Sequence, residues 1–177
     1  YKINRLIRKI YKKYYWLKEG IEYKGASFTD RNARYVAERF ENLVQENPSI
    51  RFRTVTIKKE HVREQMRKVG NVLYNYGLVL YLGHDIRNLD SVQIIPDKRS
   101  IRVINGDPLD IYLRTKVNGE FQSDVDISYD SRESTNEPCL WLIDWVANFT
   151  WRHFEDGRSE AFNVLDRFCN HERVFWT

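Results

Sequence analysis

The sequence predicts an α/β domain in which strands and helices alternate along the chain. Its 177 residues suffice for one domain with a sizeable core, and 42% of them are hydrophobic. Segments with the two-residue period of half-buried strands are followed by segments with the 3.6-residue period of helices. This order recurs three times along the chain. In α/β sheets, ligands bind at the carboxyl ends of the strands, so acids at those positions are candidate site residues.

The first predicted element is a basic amphipathic helix over residues 1–18. One face is apolar and consists of Ile3, Leu6, Ile7, Ile10, Tyr14 and Leu17. The other face carries Lys2, Arg5, Arg8, Lys9, Lys12, Lys13 and Lys18, without an acidic residue in the segment. The candidate nucleic-acid contacts are Arg5, Arg8, Lys9, Lys12 and Lys13. A solvated helix packed on a neighbour, an acidic protein partner and a membrane surface are the other interpretations of this face.

A short strand and a capped helix follow the basic segment. Residues 21–24, IEYK, predict a strand that is closed by Gly25. Residues 30–45 predict a helix with Thr29 or Asp30 as its N-cap.

The middle of the chain predicts one clear strand and one long helix. Residues 50–57, IRFRTVTI, alternate between apolar and polar side chains and indicate a half-buried strand. Residues 59–82 carry apolar side chains along one side, which predicts a single helix despite Gly70 and Gly77.

Three shorter elements come next. A strand over residues 91–95 is ended by a proline, and Asp97 follows that proline directly. A brief helix opened by Pro108 reaches about Thr115, and residues 120–128 predict another strand. Asp97 therefore lies at the carboxyl end of a predicted strand, where α/β folds bind ligands.

The last predicted helix, PCLWLIDWVANFTWRHFEDG, is apolar on nearly every face and should be buried. Pro138 suits its first position and Gly157 its end, and the capping candidates are Ser134, Thr135 and Asn136. Asp144 lies in the middle of this helix, and no cation lies three or four residues away. A buried carboxylate without a partner costs several kcal/mol, so its partner must come from another segment or from solution.

Three acids on separate elements suggest a metal site: Glu22, Asp97 and Asp144. Converging carboxylates repel one another unless a divalent cation neutralises them, and Mg²⁺ or Mn²⁺ prefers such oxygen ligands. Two ions about 3.5–4 Å apart can activate water and stabilise the leaving oxygen of a phosphodiester. In the alternative interpretation the acids form separate ion pairs. The partners would then be Lys24 or the basic helix for Glu22, Lys98 or Arg99 for Asp97, and a buried arginine for Asp144.

Several short motifs resemble a ribonuclease-H-like family of prokaryotes and phages whose function is unknown. The family's E-x-K-G segment is matched by Glu22, Lys24 and Gly25, and its strand-terminal Asp followed by Arg by Asp97 and Arg99. Its D-S motif and closing Q-L-A-D-x-x-A helix are matched by Asp130, Ser131, Leu142, Ile143, Asp144 and Ala147. The likeness covers roughly residues 20–155.

The resemblance implies a ribonuclease-H-like mixed sheet flanked by helices, in a single domain over residues 1–177. It implies a metal-dependent nuclease acting on DNA or RNA, with Glu22, Asp97 and Asp144 as metal ligands and Lys24 as a phosphate contact. Members often accompany defence or mobile-element genes. The alternative is a non-catalytic nucleic-acid-binding or protein-binding subunit with the same fold.

The sequence departs from the family's pattern in two places. The family's opening DESG strand is absent, so we expect a further segment upstream, and Trp141 and Ile143 replace the family's Gln and Ala.

Other features of the sequence argue against a membrane-spanning protein and against a secreted, disulfide-bonded one. No apolar run approaches a membrane span and no secretory signal is visible. The two cysteines, Cys139 and Cys169, predict a reduced, cytoplasmic protein rather than a disulfide framework.

Overall fold

The computed structural model describes residues 2–14, 17, 21–98 and 108–175. Its helices are α1 (Lys2–Lys13), α2 (Asp30–Glu46), α3 (Glu64–Arg67), α4 (Gly70–Ile86), α5 (Leu109–Arg114), α6 (Pro138–Asp156) and α7 (Phe162–Leu165). Its strands are β1 (Phe52–Ile57), β2 (Ser91–Ile94), β3 (Asp126–Tyr129) and β4 (Cys169–Val174). The prediction of a mixed α/β chain is confirmed. The sequence assignments that involve Lys18 and Arg99 lie outside the described residues.

Elements with strong local signals form where the sequence predicts them. The α1 helix buries Leu6, Ile7 and Ile10 and exposes its cations, as its amphipathic pattern requires. Thr29 is the N-cap of α2, and its Oγ1 accepts a hydrogen bond from the Asn32 amide at 3.3 Å. Gly157 ends α6 in the left-handed conformation with φ of 68°, which a glycine adopts without steric cost.

The predicted strand over residues 21–24 is wrong. These residues are irregular, and a 3₁₀ turn over Gly25–Ser27 follows them. Side chains, instead of a neighbouring strand, bind the backbone here. The Tyr11 hydroxyl donates to the Ile21 carbonyl at 2.5 Å, and Trp145 Nε1 donates to the Tyr23 carbonyl at 2.5 Å. Because these carbonyls are already satisfied, a strand partner is not needed.

The single long helix predicted over residues 59–82 is also wrong. The segment contains a 3₁₀ turn over Lys59–His61, the one-turn α3, and α4, which begins at Gly70. Val69, with φ of −118° and ψ of 79°, is not helical and separates α3 from α4. The apolar period continues through this break, which is why periodicity did not show it.

The second half of the chain departs from the sequence predictions in three further places. The strand predicted at 120–128 is shifted to Asp126–Tyr129, because residues 115–120 continue α5 as a π-helical segment. The expected caps at 134–136 form a 3₁₀ turn, and α6 has no side-chain cap. The short α7 and the strand β4 were not predicted from the sequence.

The chain contains two compact units. The first comprises residues 1–54 and 133–172, and the second comprises 55–132 and 173–177. The expectation of one ribonuclease-H-like domain stays a prediction.

The core of the first unit lies between α1, α2, α6 and α7. Phe40 of α2 stacks on Phe52 of β1 with ring centroids 5.4 Å apart, and on Trp145 of α6 at 6.2 Å. All three rings are buried. Such aromatic pairs stabilise a core beyond the area that they bury.

The second unit contains a parallel pair of strands, β2 and β3, with Ser91 opposite Asp126 and Ile94 opposite Tyr129. Ile127 of β3 belongs to one buried apolar cluster with Ile86 of α4. Strands β1 and β4, which both begin in the residues of the first unit and end in those of the second, form another two-stranded sheet.

The prediction that α6 is buried on nearly every face is wrong. Trp141, Trp145 and Phe149 are buried, but Ile143 is 57% exposed and Trp151 is 53% exposed. Within the described part of the chain, the core covers α6 on one side only. In that same part, none of the helices has the length and apolar character needed to cross a membrane.

Candidate functional site

The centre of the candidate site is the 3₁₀ turn at Gly25, which packs directly on α6. Arg152 of α6 is 4% exposed and donates hydrogen bonds to three carbonyls of this turn. The bonds run from Nη1 to Phe28 at 2.8 Å, and from Nη2 to Gly25 at 2.9 Å and to Ala26 at 2.8 Å. A planar guanidinium is suited to this arrangement, because its donors point in fixed directions. Arg152 therefore holds the turn in one position on the helix.

Asp144 contacts the same turn. Its Oδ2 accepts a hydrogen bond from the Gly25 amide at 2.8 Å, and its side chain is half-buried. This amide is the partner from another segment that the sequence required. Gly25 is needed sterically, because a Cβ there would lie 2.6 Å from Asn148 Cβ and 3.1 Å from the Asp144 carbonyl oxygen. The close approach brings the turn against the α6 face that carries Asp144 and Asn148.

Glu22 lies three residues before Gly25, and its side chain is 9% exposed. Its Oε1 accepts from Lys24 Nζ at 2.6 Å and its Oε2 from the Ser134 hydroxyl at 2.9 Å. The Ser134 carbonyl in turn accepts from Trp141 Nε1 of α6 at 2.6 Å. Glu22, Lys24 and Asp144 are thus all anchored to the contact between residues 21–25 and α6. The ion pair with Lys24 is also the one that the alternative interpretation of Glu22 named.

Asp97 belongs to the second unit. It is exposed, follows β2, and forms a parallel bridge with Arg132, which extends the β2–β3 pairing. It lines a pocket of about 250 Å³ together with Asp110, the buried Asn71 and Asn75, and Tyr129. Its position after a strand is as predicted.

The predicted site residues are therefore divided between the two units. Glu22, Lys24 and Asp144 lie in the first unit, and Asp97 lies in the second. Over residues 2–14, 17, 21–98 and 108–175, no three His, Cys, Asp or Glu side chains form a group that could hold a metal ion.

The basic side chains of α1 (Lys2–Lys13) are exposed. Arg5, Arg8, Lys9, Lys12 and Lys13 all have exposed side chains, while the apolar face packs on the core. The positive charge of this face is therefore directed to solvent, opposite the apolar face that packs on the core.

Sequence reasoning missed three residues of the site: Ser134, Asn148 and Arg152. Asn148 lies one helical turn after Asp144, and that spacing could have indicated it. Its Oδ1 is buried and has no hydrogen-bond partner among the described residues. No local pattern distinguishes Arg152 from a surface arginine, because its partners lie more than 120 residues away.

No family model matches the chain, and comparison with curated proteins and with solved structures gave no match.

Proposed function

We propose that the chain is a nuclease-like domain of the ribonuclease-H-like type that hydrolyses phosphodiester bonds of DNA or RNA with Mg²⁺ or Mn²⁺. The observation that carries the proposal is the anchoring of Glu22 and Asp144, which are 122 positions apart, to one short contact beside α6. Two acids brought to one place by separate segments are a common basis for a divalent metal site.

The donor set fits such an ion. Asp144 uses Oδ2 for Gly25, and among the described residues no hydrogen bond engages its Oδ1. Asn148 supplies a buried amide oxygen without a partner in that same part of the chain. Carboxylate and amide oxygens are ligands that Mg²⁺ and Mn²⁺ accept. Asp144 and Asn148 are therefore the residues that would hold the ion, and Glu22 would join them when Lys24 leaves its Oε1 for a phosphate.

A bound divalent ion would polarise the phosphate and lower the pKa of an attacking water. The protein residues orient the substrate. Lys24, with a side chain 57% exposed, can exchange its Glu22 partner for a phosphate oxygen and so favour negative charge in the transition state. Arg152 binds the carbonyl of Gly25 and so fixes the position of the turn relative to Asp144. The assignment of Asp97 as a further ligand stays a prediction, which Asp97→Asn tests in the same assay.

The test is cleavage of end-labelled DNA and RNA strands with Mg²⁺, with Mn²⁺ and with EDTA. Asp144→Asn keeps an oxygen that can accept from Gly25 and removes the charge, so we expect a folded protein that has lost metal-dependent cleavage. Glu155→Gln is the matched control, because it removes an exposed carboxylate from the same helix. Full activity of Asp144→Asn, or cleavage that persists in EDTA, would contradict the proposal.

A second measurement separates metal binding from catalysis. Mn²⁺ should raise the unfolding temperature of the unmodified chain, because an ion that binds only the folded state stabilises it. Asp144→Asn and Glu22→Gln should each reduce this shift, and Glu155→Gln should not. An equal shift in all four proteins would exclude these two acids as ligands.

The second candidate function is a nucleic-acid-binding module without catalysis, which the exposed cations of α1 favour. Each lost phosphate contact should lower the slope of log affinity against log salt by about 1. Lys9→Glu and Lys12→Glu should therefore weaken DNA binding and reduce the slope. Arg51→Glu reverses an exposed charge outside α1 and serves as the control. Such binding without metal-dependent cleavage would favour this module over the nuclease.

Both functions fit the cytoplasmic setting that the two cysteine thiols predict.

A further inference from the structure

A recess of about 430 Å³ lies in the first unit between the end of α1 and the N-terminal half of α2. Its lining consists of Lys13, Tyr14, Arg31, Asn32, Arg34, Tyr35 and Glu38. The volume falls within the range of about 300–1,000 Å³ that small-molecule sites occupy. None of the residues proposed to hold a metal ion contributes to it.

The lining is positively charged. Lys13, Arg31 and Arg34 face one carboxylate, Glu38, which pairs with Arg34 Nε at 3.1 Å. Three cations and one carboxylate leave a net charge of +2 at the lining. Arg31 is exposed and forms no ion pair with any residue in the described part of the chain. The recess therefore has cationic groups available for an anion.

Two aromatic residues of the lining, Tyr14 and Tyr35, contact each other and the neighbouring cations. The rings of Tyr14 and Tyr35 meet edge to face with centroids 5.6 Å apart. Lys13 Nζ lies 3.4 Å from the centroid of Tyr35, and the guanidinium carbon of Arg39 lies 5.0 Å from it. Such cation–π contacts limit the freedom of the Lys13 ammonium, so one cation is positioned before a ligand arrives.

The recess is also the end of a row of cations on α1. Arg5, Lys9 and Lys13 are spaced four residues apart and therefore lie on one side of the helix, about 6 Å apart along its axis. A polyanion bound along this row would therefore reach the recess at Lys13.

We propose that the recess binds the terminal phosphate monoester of a nucleic-acid strand whose internal phosphates lie along Arg5 and Lys9. A terminal monoester carries a charge of about −1.5 to −2 at neutral pH, which matches the recess, whereas each internal phosphodiester carries one charge. The inference rests on the nucleic-acid binding proposed above and adds to it a preference for a phosphorylated strand end.

The experiment compares single strands of one sequence that carry a 5′-phosphate, a 3′-phosphate or hydroxyl groups at both ends. Binding is measured by fluorescence anisotropy in EDTA, so that cleavage does not interfere. The unmodified chain should bind one of the phosphorylated strands about tenfold more tightly than the unphosphorylated strand. Arg31→Gln combined with Lys13→Gln should abolish this difference and leave weaker binding through the rest of α1. Arg51→Gln, at an exposed site outside the recess, should preserve it.

The other outcomes distinguish failure of the recess inference from failure of the proposed function. Equal binding of all three strands overturns the recess inference and leaves the proposed function intact. Failure of every strand to bind overturns the recess inference and the nucleic-acid-binding module, whereas the nuclease is tested separately by cleavage with Mg²⁺ or Mn²⁺. Inorganic phosphate or a mononucleotide that competes as well as the phosphorylated strand would identify the recess as a site for small phosphates, which contradicts the strand-end assignment. Circular dichroism of each variant establishes that it is folded.

Discussion

The Gly25 amide donates a hydrogen bond to Asp144 Oδ2 at 2.8 Å, across 119 positions of the chain. This bond joins the turn after Glu22 to the middle of α6. It explains how a carboxylate is accommodated in a helix that is otherwise mostly apolar. It also makes the geometry of the turn a direct determinant of the candidate site.

Replacement of Gly25 by alanine should destabilise the first unit. The added Cβ would lie 2.6 Å from Asn148 Cβ and 3.1 Å from Trp145 Cα, and the helix backbone cannot move away cheaply. Overpacking of this kind costs about 1–3 kcal/mol in the free energy of unfolding, which urea denaturation measures. Gly119→Ala is the control, because a Cβ there meets no atom within 4 Å. Equal stability of the two variants would show that the close contact does not constrain the turn.

Arg152→Lys should cost about 3 kcal/mol in the free energy of unfolding. The guanidinium serves three carbonyls at once, and an ammonium on a shorter stem cannot reach all of them. Arg167→Lys is the matched control, because Arg167 is 58% exposed and pairs with Glu41 at 3.4 Å. That change should stay within about 0.5 kcal/mol. A similar small effect for Arg152→Lys would mean that the turn holds its conformation without the guanidinium.

The two cysteines should differ in reactivity. Cys139 is exposed, whereas Cys169 is buried, and burial raises the pKa of the Cys169 thiol to about 12. Because the thiolate is the reactive form, a disulfide reagent at mildly alkaline pH should modify Cys139 rapidly and Cys169 only after unfolding. The Cys139→Ser variant tests this directly. If the folded variant reacts as fast as the denatured one, the burial of Cys169 is incorrect.

The chain should lose stability at alkaline pH. Burial raises the pKa of Tyr11 and of Tyr14 from 10.0 to about 12. The folded state therefore keeps protons that the unfolded state releases above its own pKa. This contribution is fully present below about pH 10 and is lost as the pH rises to about 12.

Tyr11→Phe tests the alkaline prediction by urea denaturation at a series of pH values. The decline in the free energy of unfolding between pH 10 and 12 should become shallower, since one of the two phenols no longer titrates. At neutral pH the variant should lose about 1 kcal/mol, because the hydrogen bond from Tyr11 to the Ile21 carbonyl is removed. Superimposable pH profiles of the two proteins would contradict the assignment.

The sequence predicted those elements whose signals are local. The period of apolar residues placed α1, the capping candidates Thr29 and Asp30 placed the start of α2, and Gly157 placed the end of α6. Periodicity failed at Val69, where the backbone leaves the helical region while the apolar spacing continues. It also failed over residues 21–24, whose carbonyls bind distant side chains in place of a strand.

For the candidate site, too, the sequence predicted the local features and the tertiary structure determined the long-range contacts. The sequence by itself determined that Asp144 lies within a helix, that Asp97 follows a strand, and that the cations of α1 share one face, because these depend only on neighbouring residues. Only the tertiary structure decided that Asp144 binds the Gly25 amide, that Ser134 binds Glu22, and that Arg152 holds the turn at Gly25. It also decided that Lys13 and Arg31 line one recess. The physical reason is that local periodicity specifies which face of an element is buried. The partner that satisfies a buried polar group, by contrast, depends on segments more than 100 residues apart.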